Sequence, residues 1–128
     1  MISVDKALLI HSTAISKSGG ADGIRDKGLL EGALSRPFAT FDAIDLYHDV
    51  AQKAAAIMES ILINHPFVDG NKRKGYILMR SILMANNVDL MASEDEKYNF
   101  TIKVAEGKMD VEENTIWIEN NIIPLKKN

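Results

Sequence analysis

His65-Pro66-Phe67-Val68-Asp69-Gly70-Asn71-Lys72-Arg73 stands between two apolar runs of helical period. The run before it, Tyr47 to Ile63, carries two adjacent stripes: Val50, Ala54, Ile57, Ile61 and Ala51, Ala55, Met58, Leu62. Two stripes make a helix apolar on most of its surface, so it belongs at the centre of the fold. Pro66 ends it, because a proline disfavours helical geometry in the residue before it and should push His65 toward extended backbone. The run after it spans about Asn71 to Asn86, and between Tyr76 and Ala85 only Arg80 and Ser81 are polar. The stretch therefore reads as a rigid loop delivered by one central helix and closed by the start of the next.

The rest of the chain also reads as helix. Ser3 to about Lys17 forms a first helix ended by Gly19-Gly20. Asp26 caps a short second helix carrying Leu29, Leu30, Ala33 and Leu34, and Pro37 breaks it. Phe38 to Asp45 shows no period and is expected to be a loop. Ser93 with Glu96 is a capping box for a helix closing near Gly107. Asp110 with Glu113 repeats the signal for a last helix stopped by Pro124. No segment alternates with a period of two, and no repeat is present. The expected architecture is all-α: one domain over residues 1 to 124, about six helices, and a frayed tail at 125 to 128.

With 128 residues, 46% hydrophobic and 26% charged, the chain fits an ordinary globular protein with one core. A net charge of −3 argues against a broad nucleic-acid footprint. The absence of cysteine excludes disulfides, thiolate catalysis and cysteine-ligated metals. It suits a cytoplasmic setting. No signal peptide or membrane-spanning run is evident.

The nine-residue stretch concentrates chemistry. A helix start offers unpaired N–H groups and partial positive charge, a seat for phosphate. His65 is the candidate general base. Asp69 is a hard oxygen ligand suited to magnesium. Gly70 permits positive φ, and the N–H groups of Gly70, Asn71 and Lys72 can form an anion nest. Arg73 can fork onto a phosphate oxygen. Phe67, apolar in a polar loop, is expected to anchor it to the core. Singly, each residue has an ordinary structural reading: a cap, a turn, a solvated basic pair. His11 and His48 keep that reading. The fixed order between two buried helices points instead to phosphate-ester chemistry on a nucleotide.

His65 to Arg73 resembles the Fic motif, His-Pro-Phe-x-Asp/Glu-Gly-Asn-Gly/Lys-Arg, and Lys72 in the glycine position resembles the death-on-curing (Doc) branch of that family. Gly19-Gly20, Gly23-Ile24-Arg25-Asp26, Gly28-Leu29-Leu30-Glu31, Ser35-Arg36-Pro37, Ala54-Ala55-Ala56, Asn64 and Asn86-Asn87 extend the resemblance over residues 1 to about 120. It implies the helical Fic/Doc fold, with ATP and Mg2+ as cofactors. His65 would deprotonate a target hydroxyl, Asp69 would hold magnesium, Gly70, Asn71 and Lys72 would line the anion hole, and Arg73 would contact phosphate. His65, Asp69, Asn71 and Arg73 are thus the expected catalytic set. Pro37 to Ile44 would be the flap that docks a target segment as an added strand.

The resemblance further implies a toxin inhibited by a cognate antitoxin, with a translation elongation factor as target. AMP-transferring members carry a second arginine where this chain has Tyr76, so transfer of the γ-phosphoryl group from reversed ATP is favoured. AMP transfer at the same site and a non-catalytic binding module are the alternatives. Thr115-Ile116-Trp117-Ile118-Glu119-Asn120 matches a self-inhibitory pattern in which glutamate pairs the phosphate-binding arginine. Ile116, Trp117 and Ile118 nevertheless read as core contacts.

Overall fold

The computed structural model describes residues 23 to 125. The helix expected at Ser3 to Lys17 lies outside them, as do residues 126 to 128 of the tail. Five α-helices are described: α1 (Lys27–Ser35), α2 (Val50–Asn64), α3 (Asn71–Ala85), α4 (Glu94–Ala105) and α5 (Val111–Glu119). A 3-10 turn, Arg36–Phe38, follows α1. The fold is mainly helical, as expected.

Local chemistry sets the helix starts. Asp26 Oδ1 accepts the Leu29 N–H at 2.9 Å and caps α1. Asp49 with Gln52, Ser93 with Glu96 and Asp110 with Glu113 form reciprocal capping boxes for α2, α4 and α5. The box at Asp49 moves the start of α2 from the expected Tyr47 to Val50.

α2 is the axis of the molecule. Ala51, Ala54, Ala55, Ile57, Met58, Ile61 and Leu62 are all buried. α3 packs along one side and α5 along another. The approach of α3 is close because residue 75 is glycine: a Cβ there would run into the Leu62 side chain and lie 3.3 Å from Ile61 Cγ2. On α5, Ile118 is fully buried and Trp117 stacks on Phe100 of α4, with centroids 3.9 Å apart. Ile116, expected in the core, is instead exposed.

Two small antiparallel ribbons depart from the all-helical expectation. β1 (Thr40–Phe41) pairs with β2 (Ile44–Asp45) inside the segment expected to be a loop. Its turn, Asp42 and Ala43, has positive φ at both residues (51° and 64°), the geometry of tight hairpins. β3 (Val88–Leu90) pairs with β4 (Ile122–Pro124). The last helix therefore ends at Glu119 and not at Pro124: Ile122 and Ile123 are β-branched and pair with Leu90 and Asp89. Strands of two or three residues are too short to show a period, which is why the sequence hides them. Leu125, expected in the tail, still donates its N–H to the Asn87 carbonyl at 2.9 Å.

The β1–β2 hairpin is tied to α2 at its base. Lys53, only 4% exposed, donates to the carbonyls of Pro37 (3.1 Å) and Tyr47 (2.6 Å), bracketing the hairpin from both sides. Arg36 donates to Glu59, Ser60 and the Tyr47 hydroxyl. Burial opposes its charge, but the bonds it donates to Tyr47 and Glu59 prevail and raise its pKa. Phe41 and Ile44, cross-strand partners, remain exposed. Among the described residues, no helix is long and apolar enough to cross a membrane.

Candidate active site

α2 ends on His65, whose N–H bonds to the Ile61 carbonyl at 3.1 Å. His65 is not extended, as its position before a proline suggested. It sits in the left-handed region, φ 49° and ψ 59°. Pro66 disfavours the right-handed helix at residue 65 but leaves the left-handed turn open, and that turn stops the helix in one step. The imidazole is on the exposed side of the loop.

Phe67 anchors the loop, as expected, with 1% exposure. Its backbone forms a bridge to Ile24, so the segment before α1 runs alongside the motif. Val68 donates to the Gly23 carbonyl at 2.9 Å. A Cβ on residue 23 would lie 2.8 Å from Val68 Cγ2, so glycine permits this approach.

Asp69 is exposed, and its Oδ1 accepts the Gly70 N–H at 2.8 Å. That N–H, expected in an anion nest, is thus engaged by the neighbouring carboxylate. Gly70 takes φ 71° and starts α3 without a side-chain cap among the described residues. The first-turn N–H groups of α3, beginning with Asn71, are those a helix cannot satisfy internally. Asn71 turns its side chain back into the loop and not outward: it bonds to both backbone polar groups of Phe67 at 3.1 Å.

Lys72 and Arg73 are exposed and open onto a cavity of about 500 Å³ between α3 and α4. Tyr76, Lys97, Tyr98, Thr101 and Ile102 complete much of its wall. Two cations thus stand on the α3 side of a space whose α4 side adds Lys97 and the carboxylate of Glu94 to aromatic and apolar surface. His65 and Asp69 are not in its lining; they sit on the loop just before it.

The loop oxygen of Asp69 suits magnesium. It is an exposed carboxylate beside an uncapped helix start, and magnesium in phosphate sites usually takes one or two carboxylates plus substrate oxygens. Among the described residues no three His, Asp or Glu side chains form a cluster that could hold a metal alone.

Two residues at this site were given no functional role in the sequence reading, although Arg25 was among those that carried the resemblance. Lys74, 4% exposed, donates to the Asp69 carbonyl at 2.8 Å and lies 4.6 Å above the Phe67 ring. Arg25 donates from Nε to the His65 carbonyl (2.6 Å) and from a terminal nitrogen to the Asn64 carbonyl (2.7 Å). A lysine within an otherwise buried helix face was a usable signal for the first. The second joins residues forty positions apart, and no local pattern encodes that.

Glu119 of the self-inhibitory pattern lines a separate pocket with Leu46, Tyr47, Gln52 and Thr115. Leu46, Tyr47 and Gln52 lie around the start of α2, whereas Arg73 follows its end. Glu119 and Arg73 thus open on different pockets.

A model of the Fic/DOC family matches residues 1–83. A curated relative, Toxin Doc of Mycolicibacterium smegmatis, is 43% identical over 77 residues. That match covers 60% of this chain and 59% of the relative.

Proposed function

The chain belongs to the Fic/DOC family, and from that premise we propose that it is a Doc-like toxin moving the γ-phosphoryl group of ATP to a hydroxyl of a target protein. The observation that carries the choice of group is Tyr76. It lines the cavity beside Lys72 and Arg73 where AMP-transferring members place a second phosphate-binding arginine. A tyrosine there favours a nucleoside over a phosphate tail, so ATP would enter with its base toward α4 and its γ-phosphate toward the start of α3.

In this reading His65 takes the proton from the target hydroxyl as its oxygen attacks the γ-phosphorus. The bond to the β,γ-bridging oxygen breaks and ADP leaves. Little covalent work falls to the protein beyond positioning and charge stabilisation. The N–H groups of Asn71 and Lys72, with Arg73, supply that stabilisation. Asp69 would hold magnesium, which when bound neutralises phosphate charge.

The target would dock at the flap Pro37–Ile44, which with Asp45 forms the β1–β2 hairpin, whose short edge strands can accept an added strand. By the family resemblance it is a translation elongation factor, met in the cytoplasm, and a cognate antitoxin holds the toxin in check. The deciding experiment supplies ATP labelled at the α or γ position to the protein and a cell extract. Label entering a protein from γ-labelled ATP alone supports phosphoryl transfer. Label from α-labelled ATP makes the chain an AMP-transferase. Label from neither, with ATP binding absent, leaves only a binding module.

A further inference from the structure

We infer that Arg25 is a positioning residue for the chemistry at His65, a role that rests on the reading of His65 as the base. The last carbonyls of a helix have no partner within it. A helix that ends on a left-handed residue usually closes when the next residues turn their N–H groups back onto those carbonyls. Here the next residue is Pro66, which has no N–H. The guanidinium of Arg25 supplies donors from elsewhere in the chain: Nε to the His65 carbonyl at 2.6 Å, a terminal nitrogen to the Asn64 carbonyl at 2.7 Å.

The grip continues through the backbone. The N–H groups of Arg25 and Asp26 both reach the Pro66 carbonyl, at 2.7 and 3.0 Å. Three successive carbonyls, of residues 64, 65 and 66, thus accept from residues 25 and 26. A left-handed non-glycine residue persists only where its surroundings over-determine it. The planar fork of arginine fixes two carbonyls at a set angle, which a lysine cannot do. It also places positive charge at the C-terminal end of α2, the favourable end for a cation. Arg25 is exposed, so it contributes little to the core. Its consequence is the orientation of His65, and hence where the imidazole points.

The test compares wild type with Arg25→Ala, Arg25→Lys and His65→Ala in the transfer assay, with amide hydrogen exchange at Val68 as a second readout. Arg25→Ala should lower kcat by about tenfold or more, since small misplacements of a catalytic group carry large rate losses. KM for ATP should stay within about threefold, because no nucleotide contact is removed. Arg25→Lys should recover little, whereas added ethylguanidinium should partly restore Arg25→Ala. Val68 should exchange faster in both Arg25 variants whether or not the group transferred is phosphate. A kcat within twofold of wild type in Arg25→Ala, with His65→Ala inactive, overturns the inference and leaves His65 as base. Equal activity in wild type and His65→Ala overturns the base reading instead. Unchanged Val68 exchange shows that no clamp exists.

Discussion

The side chain of Asn71 closes a ring on the backbone of Phe67: Oδ1 accepts the Phe67 N–H and Nδ2 donates to the Phe67 carbonyl, both at 3.1 Å. This fixes the loop across four residues, from the anchored aromatic ring to the first residue of α3. The side-chain amide therefore shapes the loop, while the Asn71 backbone N–H is left at the helix start. Asn71→Ala should lose both bonds and cost about 1–3 kcal/mol of stability. Urea denaturation checks it; an unchanged midpoint would show that the ring contributes nothing.

Phe67 is the other half of that relationship. It is buried at 1% exposure beneath Lys74, whose ammonium lies 4.6 Å from the ring centroid. Phe67→Ala should cost about 3–5 kcal/mol, the usual range for a truncated core aromatic. Transfer should fall as well, because Lys74 holds the Asp69 carbonyl from its position over the ring. Thermal unfolding at wild-type temperature would show that Phe67 is no anchor.

The motif and its two helices were legible in the sequence because their signals are local. Proline, glycine and the apolar stripes of α2 each act within a few residues. Capping boxes at Ser93 and Asp110 were legible for the same reason. What stayed hidden joins distant segments: Arg25 to the end of α2, Lys53 to both ends of the hairpin, β4 to β3. The left-handed His65 shows a narrower limit. Pro66 excludes one conformation of its predecessor, and two others satisfy it; tertiary bonds choose between them.

Gly75 gives a sign test. Glycine to alanine inside a helix ordinarily stabilises by up to about 1 kcal/mol. Here the new methyl group would meet Leu62 and Ile61 of α2. Overpacking of this kind typically costs about 1–3 kcal/mol, so Gly75→Ala should destabilise. A raised denaturation midpoint would mean that α2 and α3 have room to part.

Nucleotide binding should separate two groups of residues. Arg73→Ala removes a cation from the cavity wall, and Asp69→Ala removes the magnesium ligand proposed here. Each should weaken Mg–ATP binding by about 1.5–3 kcal/mol, the usual range for a charged contact. His65→Ala should bind ATP nearly as wild type while losing transfer. Calorimetry distinguishes them; full affinity in both Arg73→Ala and Asp69→Ala would put the nucleotide elsewhere.

Acid stability should carry the mark of Asp89. Arg80 on α3 forks onto both its oxygens at 2.8 Å, linking α3 to β3. The bonds from Arg80 hold the Asp89 carboxyl below its ordinary value; burial works against them, and the Leu90 N–H assists. A carboxyl depressed in the folded state binds its proton more readily once unfolded. The pair therefore stabilises the fold fully above the ordinary carboxylate pKa of about 4, and loses that contribution as pH falls below it. Arg80 is partly exposed, so solvent screening keeps the effect at about 1 kcal/mol at neutral pH. Asp89→Asn should lower the unfolding temperature at pH 7, less so in high salt. The gap between wild type and variant should narrow as pH falls below about 4. A gap that stays constant down to pH 2 would assign the loss to packing at β3 and not to the ion pair.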